Sequence, residues 1–121
     1  MGSHPLNLAV RFGLELVALG SLAVYGYRLT ESSWRWVAMI ALPLIAAVLW
    51  ATLAVPNDPS RSGSAPVPVS GLTRLGIEAM VFGSAMYAIY RVWPGWPLFV
   101  FGGLLALHYI LSYDRIKWLL S

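Results

Sequence analysis

The sequence predicts an all-α integral membrane protein: a four-helix bundle made of two repeated helical hairpins, one transmembrane domain over residues 1–121. Three observations predict it. First, 59% of the residues are hydrophobic and only 11% charged, against roughly a quarter charged in an ordinary soluble domain. That leaves too little polar surface to cover a globule in water. Second, the apolar residues gather into four runs, each close to the ~20 residues a helix needs to cross a bilayer. Third, two of those runs repeat each other, charges included.

The runs cover 6–27, 34–54, 72–91 and 96–113. They are rich in Ala, Leu and Gly without two-residue alternation, and an open sheet in lipid would leave backbone groups unpaired, so helices are expected. The first run reads as a retained span rather than a secretory signal. No Lys or Arg precedes it, it contains Arg11 and Glu15, and no small-residue cleavage pattern follows. Pro43 in the second run removes a helical hydrogen bond and predicts a kink. Residues 56–71 (PNDPSRSGSAPVPVSG) are dense in Pro, Ser and Gly and read as a flexible, solvated loop between hairpins 6–54 and 72–113. Trp34, Trp36, Trp93 and Trp96 fall at the two hairpin turns, with Trp50 and Trp118 toward the other side, as interfacial belts would have them.

A shift of 63 positions places Arg11, Gly13, Glu15, Gly20, Ser21, Tyr27 and Arg28 on Arg74, Gly76, Glu78, Gly83, Ser84, Tyr90 and Arg91 without a gap. An even number of spans separates the copies, which predicts a parallel repeat about an axis along the membrane normal. Glu15 and Glu78 are then expected in equivalent sites. Arg11 and Glu15 share a helix face, as do Arg74 and Glu78, and the glycines lie opposite, a small-residue face suited to close packing.

The net charge of +3 is scattered singly, which does not suggest nucleic-acid binding. Absence of cysteine excludes disulfides and thiolate chemistry. What remains is one polar layer on the side of the termini, holding Arg11, Glu15, Arg74, Glu78 and His108, with Asn7, Trp50 and Tyr109 at similar depth. Ionisable groups inside a membrane point by default to function; two Arg/Glu pairs that only register the hairpins are the competing reading. A metal there is not expected, because two arginines oppose a cation. No cofactor is expected: phosphate-loop, zinc-protease and nucleophile-elbow motifs are absent, and Lys117, the only lysine, lies beyond the last span.

The strings N-L-A-V-R-F-G-L-E-L (7–16), L-P-L-I-A-A-V-L-W (42–50) and I-E-A-M-V-F-G (77–83), with the Pro-rich loop, resemble the YrdB-like family of small bacterial membrane proteins over nearly the whole chain. The resemblance implies a four-helix membrane protein and carries no activity over. Small multidrug-resistance transporters also have four spans and a glutamate in the first, but Arg11 and the duplicate Glu78 depart from that pattern.

The expected function is binding of a lipophilic or amphipathic ligand, or of a membrane partner, through the polar layer. The alternatives are a small-molecule or proton-coupled transporter acting as an oligomer, and an acid/base enzyme using Glu15 or Glu78 with His108. Expected partners are membrane lipid, a lipophilic small molecule and a second copy of the chain, with no nucleic acid. The expected location is the inner membrane. Arg11, Arg61, Arg74, Arg115 and Lys117 on the termini side, against Arg28, Arg35 and Arg91 at the hairpin turns, favour cytoplasmic termini.

Overall fold

The computed structural model describes residues 5–56, 58 and 65–121, so part of the 56–71 loop, Arg61 included, lies outside the described residues. Helix α1 is Pro5–Arg28. Its opening proline has no N–H that the first turn would need. Its buried residues Asn7, Arg11, Leu14, Ala18, Ser21, Leu22 and Gly26 recur at three- and four-residue spacing, one stripe down the helix. Helix α2, Trp34–Thr52, runs unbroken through Pro43 and buries only Ala46. Helix α3, Gly71–Val92, is capped by Ser70, whose side chain accepts from the Thr73 amide. It buries nine residues from Arg74 to Val92 and is the central element. Gly95, at φ 106°, turns the chain into α4, Trp96–Leu111. Helix α5, Tyr113–Leu120, follows with a bend of 66°.

The expected runs thus correspond to α1–α4 within a few residues, with two differences at their ends. The second run stops at Thr52, and Leu53–Ala54 (β1) pairs in parallel with Val67–Pro68 (β2). Beyond the fourth run, α5 was not anticipated, because eight amphipathic residues are too short for a hydropathy window. Helices α1 and α2 are long and apolar enough to cross a membrane, and α4 with α5 qualifies only as one bent pair. Helix α3 is long enough but carries Arg74, Glu78 and Arg91.

The core lies where α1 meets α3. Leu14, Ala18, Phe82, Ala85, Ile89 and Phe101 form one cluster; Leu22, Ala46, Ile77, Val81 and Ala88 form the other. Alanines at the contact let the backbones approach. The glycine faces do not have that role: a Cβ at Gly13, Gly20, Gly76 or Gly83 would meet nothing within 4 Å, so these faces point outward. Arg11 of α1 and Arg74 and Glu78 of α3 take the inner face together with the alanines, and the glycines opposite them are left outside.

Close approach occurs at two other glycines. A Cβ on Gly26 would fall on the backbone carbonyl of Ala38 in α2, and one on Gly71 would fall on that of Leu119 in α5. In the repeat, Gly26 corresponds to Ile89. The first hairpin therefore closes tightly, while at the matching position the second carries a branched side chain packed in the core, and clefts open between α4 and its neighbours.

Gly26→Ala and Gly71→Ala are expected to lower stability by about 1–3 kcal/mol through overpacking. Gly13→Ala and Gly20→Ala should be neutral or stabilising by up to about 1 kcal/mol through helix propensity. Thermal unfolding in detergent of the four variants checks this; equal losses in all four would contradict the packing described.

Candidate functional site

Six of the seven expected site residues converge around Glu78. Its carboxylate, 1% exposed, receives Arg74 Nε at 2.8 Å and Arg115 Nη2 at 2.7 Å on Oε2. Arg115 Nη1 at 3.1 Å and the Tyr109 hydroxyl at 2.5 Å reach Oε1. Arg11 Nη2 lies 3.1 Å from Oε2 as an ion pair. One carboxylate thus touches three guanidiniums from three helices.

Each arginine has a second task. Arg74 Nη1 donates to the carbonyls of Trp50 (2.6 Å) and Leu53 (2.8 Å), two of the orphan acceptors at the end of α2. Arg115 grips Asp58 with Nε to Oδ1 at 2.8 Å and Nη2 to Oδ2 at 2.6 Å, a bidentate pair that anchors part of the loop. Burial works against the Arg115 charge, and its hydrogen bonds to Asp58 and Glu78 offset it. Arg11 Nε is 3.5 Å from Glu15, and its guanidinium stacks on Trp50 at 4.8 Å, with Arg74 on the same ring at 4.5 Å. Half-buried Trp50 therefore lies between two cations.

A neutral chain runs alongside. Asn7 Nδ2 donates to Ser112 Oγ at 2.7 Å, which turns its amide oxygen to His108 Nδ1 at 3.0 Å. Nδ1 must then carry the proton, and Nε2 accepts from Arg11 Nη1 at 3.3 Å. The imidazole is neutral, because a proton on Nε2 would point at a guanidinium.

Glu15 stands apart. It is 25% exposed and lines a cavity of about 210 Å³ with Leu19, Ala46, Ala47 and Trp50. The expectation of equivalent sites for Glu15 and Glu78 is not met. Glu78 belongs to the buried stripe of α3, whereas Glu15 lies at the edge of that of α1, and Arg11 approaches the buried Glu78 more closely than its own i+4 partner.

Sequence reasoning missed Arg115, Asp58 and Ser112. Arg115 was counted among flanking charges, and Asp58 sat in a loop read as solvated. The available signals were modest: Ser112, Arg115 and Leu119 share one face of α5, and Asp58 is the only acidic residue in 56–71. With it, the network balances three arginines, Arg11, Arg74 and Arg115, against Glu15, Glu78 and Asp58. Chemically, all four acceptor directions of Glu78 and the lone pair of His108 are engaged by internal donors, an arrangement suited to rigidity more than to proton exchange.

Comparison with known proteins agrees with the resemblance read from the motifs. The family described as "Protein of unknown function (DUF2568)" matches residues 9–106. The "Uncharacterized protein YrdB" of Bacillus subtilis (strain 168) is 44% identical over 118 residues, covering 98% of this chain and 96% of that one. No solved structure matches.

Glu78→Gln is expected to cost about 3–5 kcal/mol, since it leaves buried guanidiniums uncompensated. Glu15→Gln, partly exposed, should cost about 1 kcal/mol or less. Unfolding of both variants in detergent checks the difference, and equal losses would restore the equivalence that the repeat implies.

Proposed function

This chain belongs to the DUF2568 family, and from that premise we propose that it is a multi-pass protein of the inner membrane that binds an amphipathic ligand beside its buried polar layer. In this reading α1 to α4 all span the bilayer as a bundle of two related hairpins. Helix α4, 16 residues long, rises only about 24 Å, and its bend into α5 accommodates the difference from a ~30 Å hydrocarbon core.

The observation that carries the ligand reading is the cleft between α3 and α4. It encloses about 310 Å³, lined by Leu75, Ala79, Phe82, Gly83, Met86 and Leu105, and ends on Glu78 and Tyr109. An apolar trough with a few polar atoms at one end is the usual shape of a small-molecule site. The network beside it is already balanced in charge, so the fitting head group is neutral. The Tyr109 oxygen, which donates to Glu78, has lone pairs left to accept a hydrogen bond from a hydroxyl or amide. Proton exchange at Glu78 or His108 finds less support, because their lone pairs are engaged by internal donors.

Orientation also takes a different reading. Of the five charges that favoured cytoplasmic termini, Arg11, Arg74 and Arg115 are buried in the network, and Arg61 is outside the described residues. Exposed charge then favours the hairpin turns, with Arg28, Arg35 and Arg91, on the cytoplasmic side.

Two measurements test these proposals. Binding of a spin-labelled long-chain alcohol to the detergent-solubilised protein should be abolished by Gly83→Phe, which fills the cleft. Tyr109→Phe should weaken it about five- to tenfold, the worth of one hydrogen bond. Unchanged binding in both variants would remove the cleft as the site. A phosphatase reporter active outside the cytoplasm should be active when fused after residue 121 and inactive when placed at the 30–33 turn; the reverse pattern would return the termini to the cytoplasm.

A further inference from the structure

The opposite end of the molecule holds charge that the network does not use. At the hairpin turns stand Arg28, Arg35 and Arg91 against a single carboxylate, Glu31. Arg35 is committed: Nε donates to the Thr30 carbonyl at 3.2 Å, Nη1 to the Tyr27 hydroxyl at 3.3 Å, and its guanidinium lies 4.4 Å from the Tyr27 ring. Arg28 and Arg91 are not. Arg28 makes one long hydrogen bond, 3.5 Å to the Val92 carbonyl, and Arg91 sits 6.0 Å from the Tyr87 ring centre. Among the described residues neither has a carboxylate within ion-pair distance.

These two arginines occupy the same position of the repeat, and the fold brings them to one recess. They line a cavity of about 150 Å³ together with Tyr25, Leu29 and Val92. Next to it, a cleft of about 400 Å³ runs between α1, α3 and α4 toward the middle of the molecule, with an almost wholly apolar lining. The two follow one another along the helices. On α1 the cleft residues Leu14, Val17 and Ser21 and the recess residues Tyr25 and Arg28 follow at spacings of three and four, one strip of the helix. On α3, Ile89 and Trp93 of the cleft flank Val92 of the recess. Trp96, 75% exposed, stands at the mouth, where an indole meets the head-group level of a bilayer.

We propose that this recess and cleft together bind an anionic phospholipid, with its phosphate between Arg28 and Arg91 and one acyl chain along the cleft. Guanidiniums match phosphate geometry in a way that lysines do not, and two of them free of carboxylates favour an anion over a zwitterion. The apolar continuation selects a lipid over a free phosphate ion. The site rests on the multi-pass reading but not on the α3/α4 cleft, which ends at Glu78 on the other side of the molecule.

The test reconstitutes the full chain in vesicles of phosphatidylcholine or of phosphatidylcholine with phosphatidylglycerol, and counts lipids retained after detergent extraction by native mass spectrometry. Phosphatidylglycerol should be retained preferentially, and the preference should fall about twenty-five-fold in Arg28→Gln with Arg91→Gln, at about five-fold per arginine. Both side chains are exposed, so the fold survives the change. Arg35→Gln should leave the preference intact. Val17→Trp, which obstructs the cleft, should reduce retention while leaving both arginines in place. Equal retention of the two lipids by the unaltered protein, or an undiminished preference in the double variant, would overturn the proposal. Displacement of phosphatidylglycerol by millimolar inorganic phosphate would also overturn it, in favour of a simple anion site. Failure of the protein to float with vesicles would instead refute the multi-pass reading itself.

Discussion

The Glu78 carboxylate, held among Arg11, Arg74 and Arg115, is the contact on which the arrangement of the other elements depends. Moving these groups out of water costs several kcal/mol per ion, and only close pairing with full hydrogen bonding offsets it. The requirement for pairing is what fixes geometry. Arg11 sets the rotation of α1 against α3, Arg74 joins the end of α2 to the start of α3, and Arg115 draws α5 and Asp58 over the same point. The Tyr109 hydroxyl adds α4. Apolar packing alone would leave considerable freedom in how the helices rotate and slide against one another. A single fully buried anion needing several cations leaves much less.

The repeat acquires its meaning from this asymmetry. Two stretches share R-x-G-x-E, yet one glutamate is the hub and the other lies at the margin. The differences that decide this are few. Gly26 permits the first hairpin to close, whereas Ile89 at the matching position puts a large side chain into the core beside Phe101 of α4. An amphipathic helix with an arginine, α5, follows the second hairpin, and among the described residues no helix lies between α2 and α3. Equivalent sequences have thus been placed in unequal surroundings, one supplying the structural centre and the other a small side cavity.

Much of the helical plan was legible in the sequence because hydropathy and Gly/Pro punctuation are local signals: α1 to α4 correspond to the four apolar runs within a few residues. The polar layer was legible too, since charges inside apolar runs announce themselves. What escaped depended on distant partners. Asp58 looks like any loop aspartate until Arg115 is brought to it, and Arg115 looks like any flanking cation until the 66° bend after α4 turns it inward. The glycine faces misled for the opposite reason: a small-residue stripe permits close packing without requiring it, and the alanines at 18, 85 and 88 served instead.

The order of the residues along the chain adds a temporal dimension. Synthesis is vectorial, and Arg115 is the last member of the network to leave the ribosome, after Arg11, Asp58, Arg74, Glu78 and Tyr109 are already in place along the nascent chain. Until then the hub has two of its three cations, and Asp58 has not met the guanidinium that grips it. Closure of the network is therefore coupled to the arrival of α5. A chain interrupted before residue 115 would keep Asp58 and Glu78 without the guanidinium that pairs with both, an unbalanced charged centre.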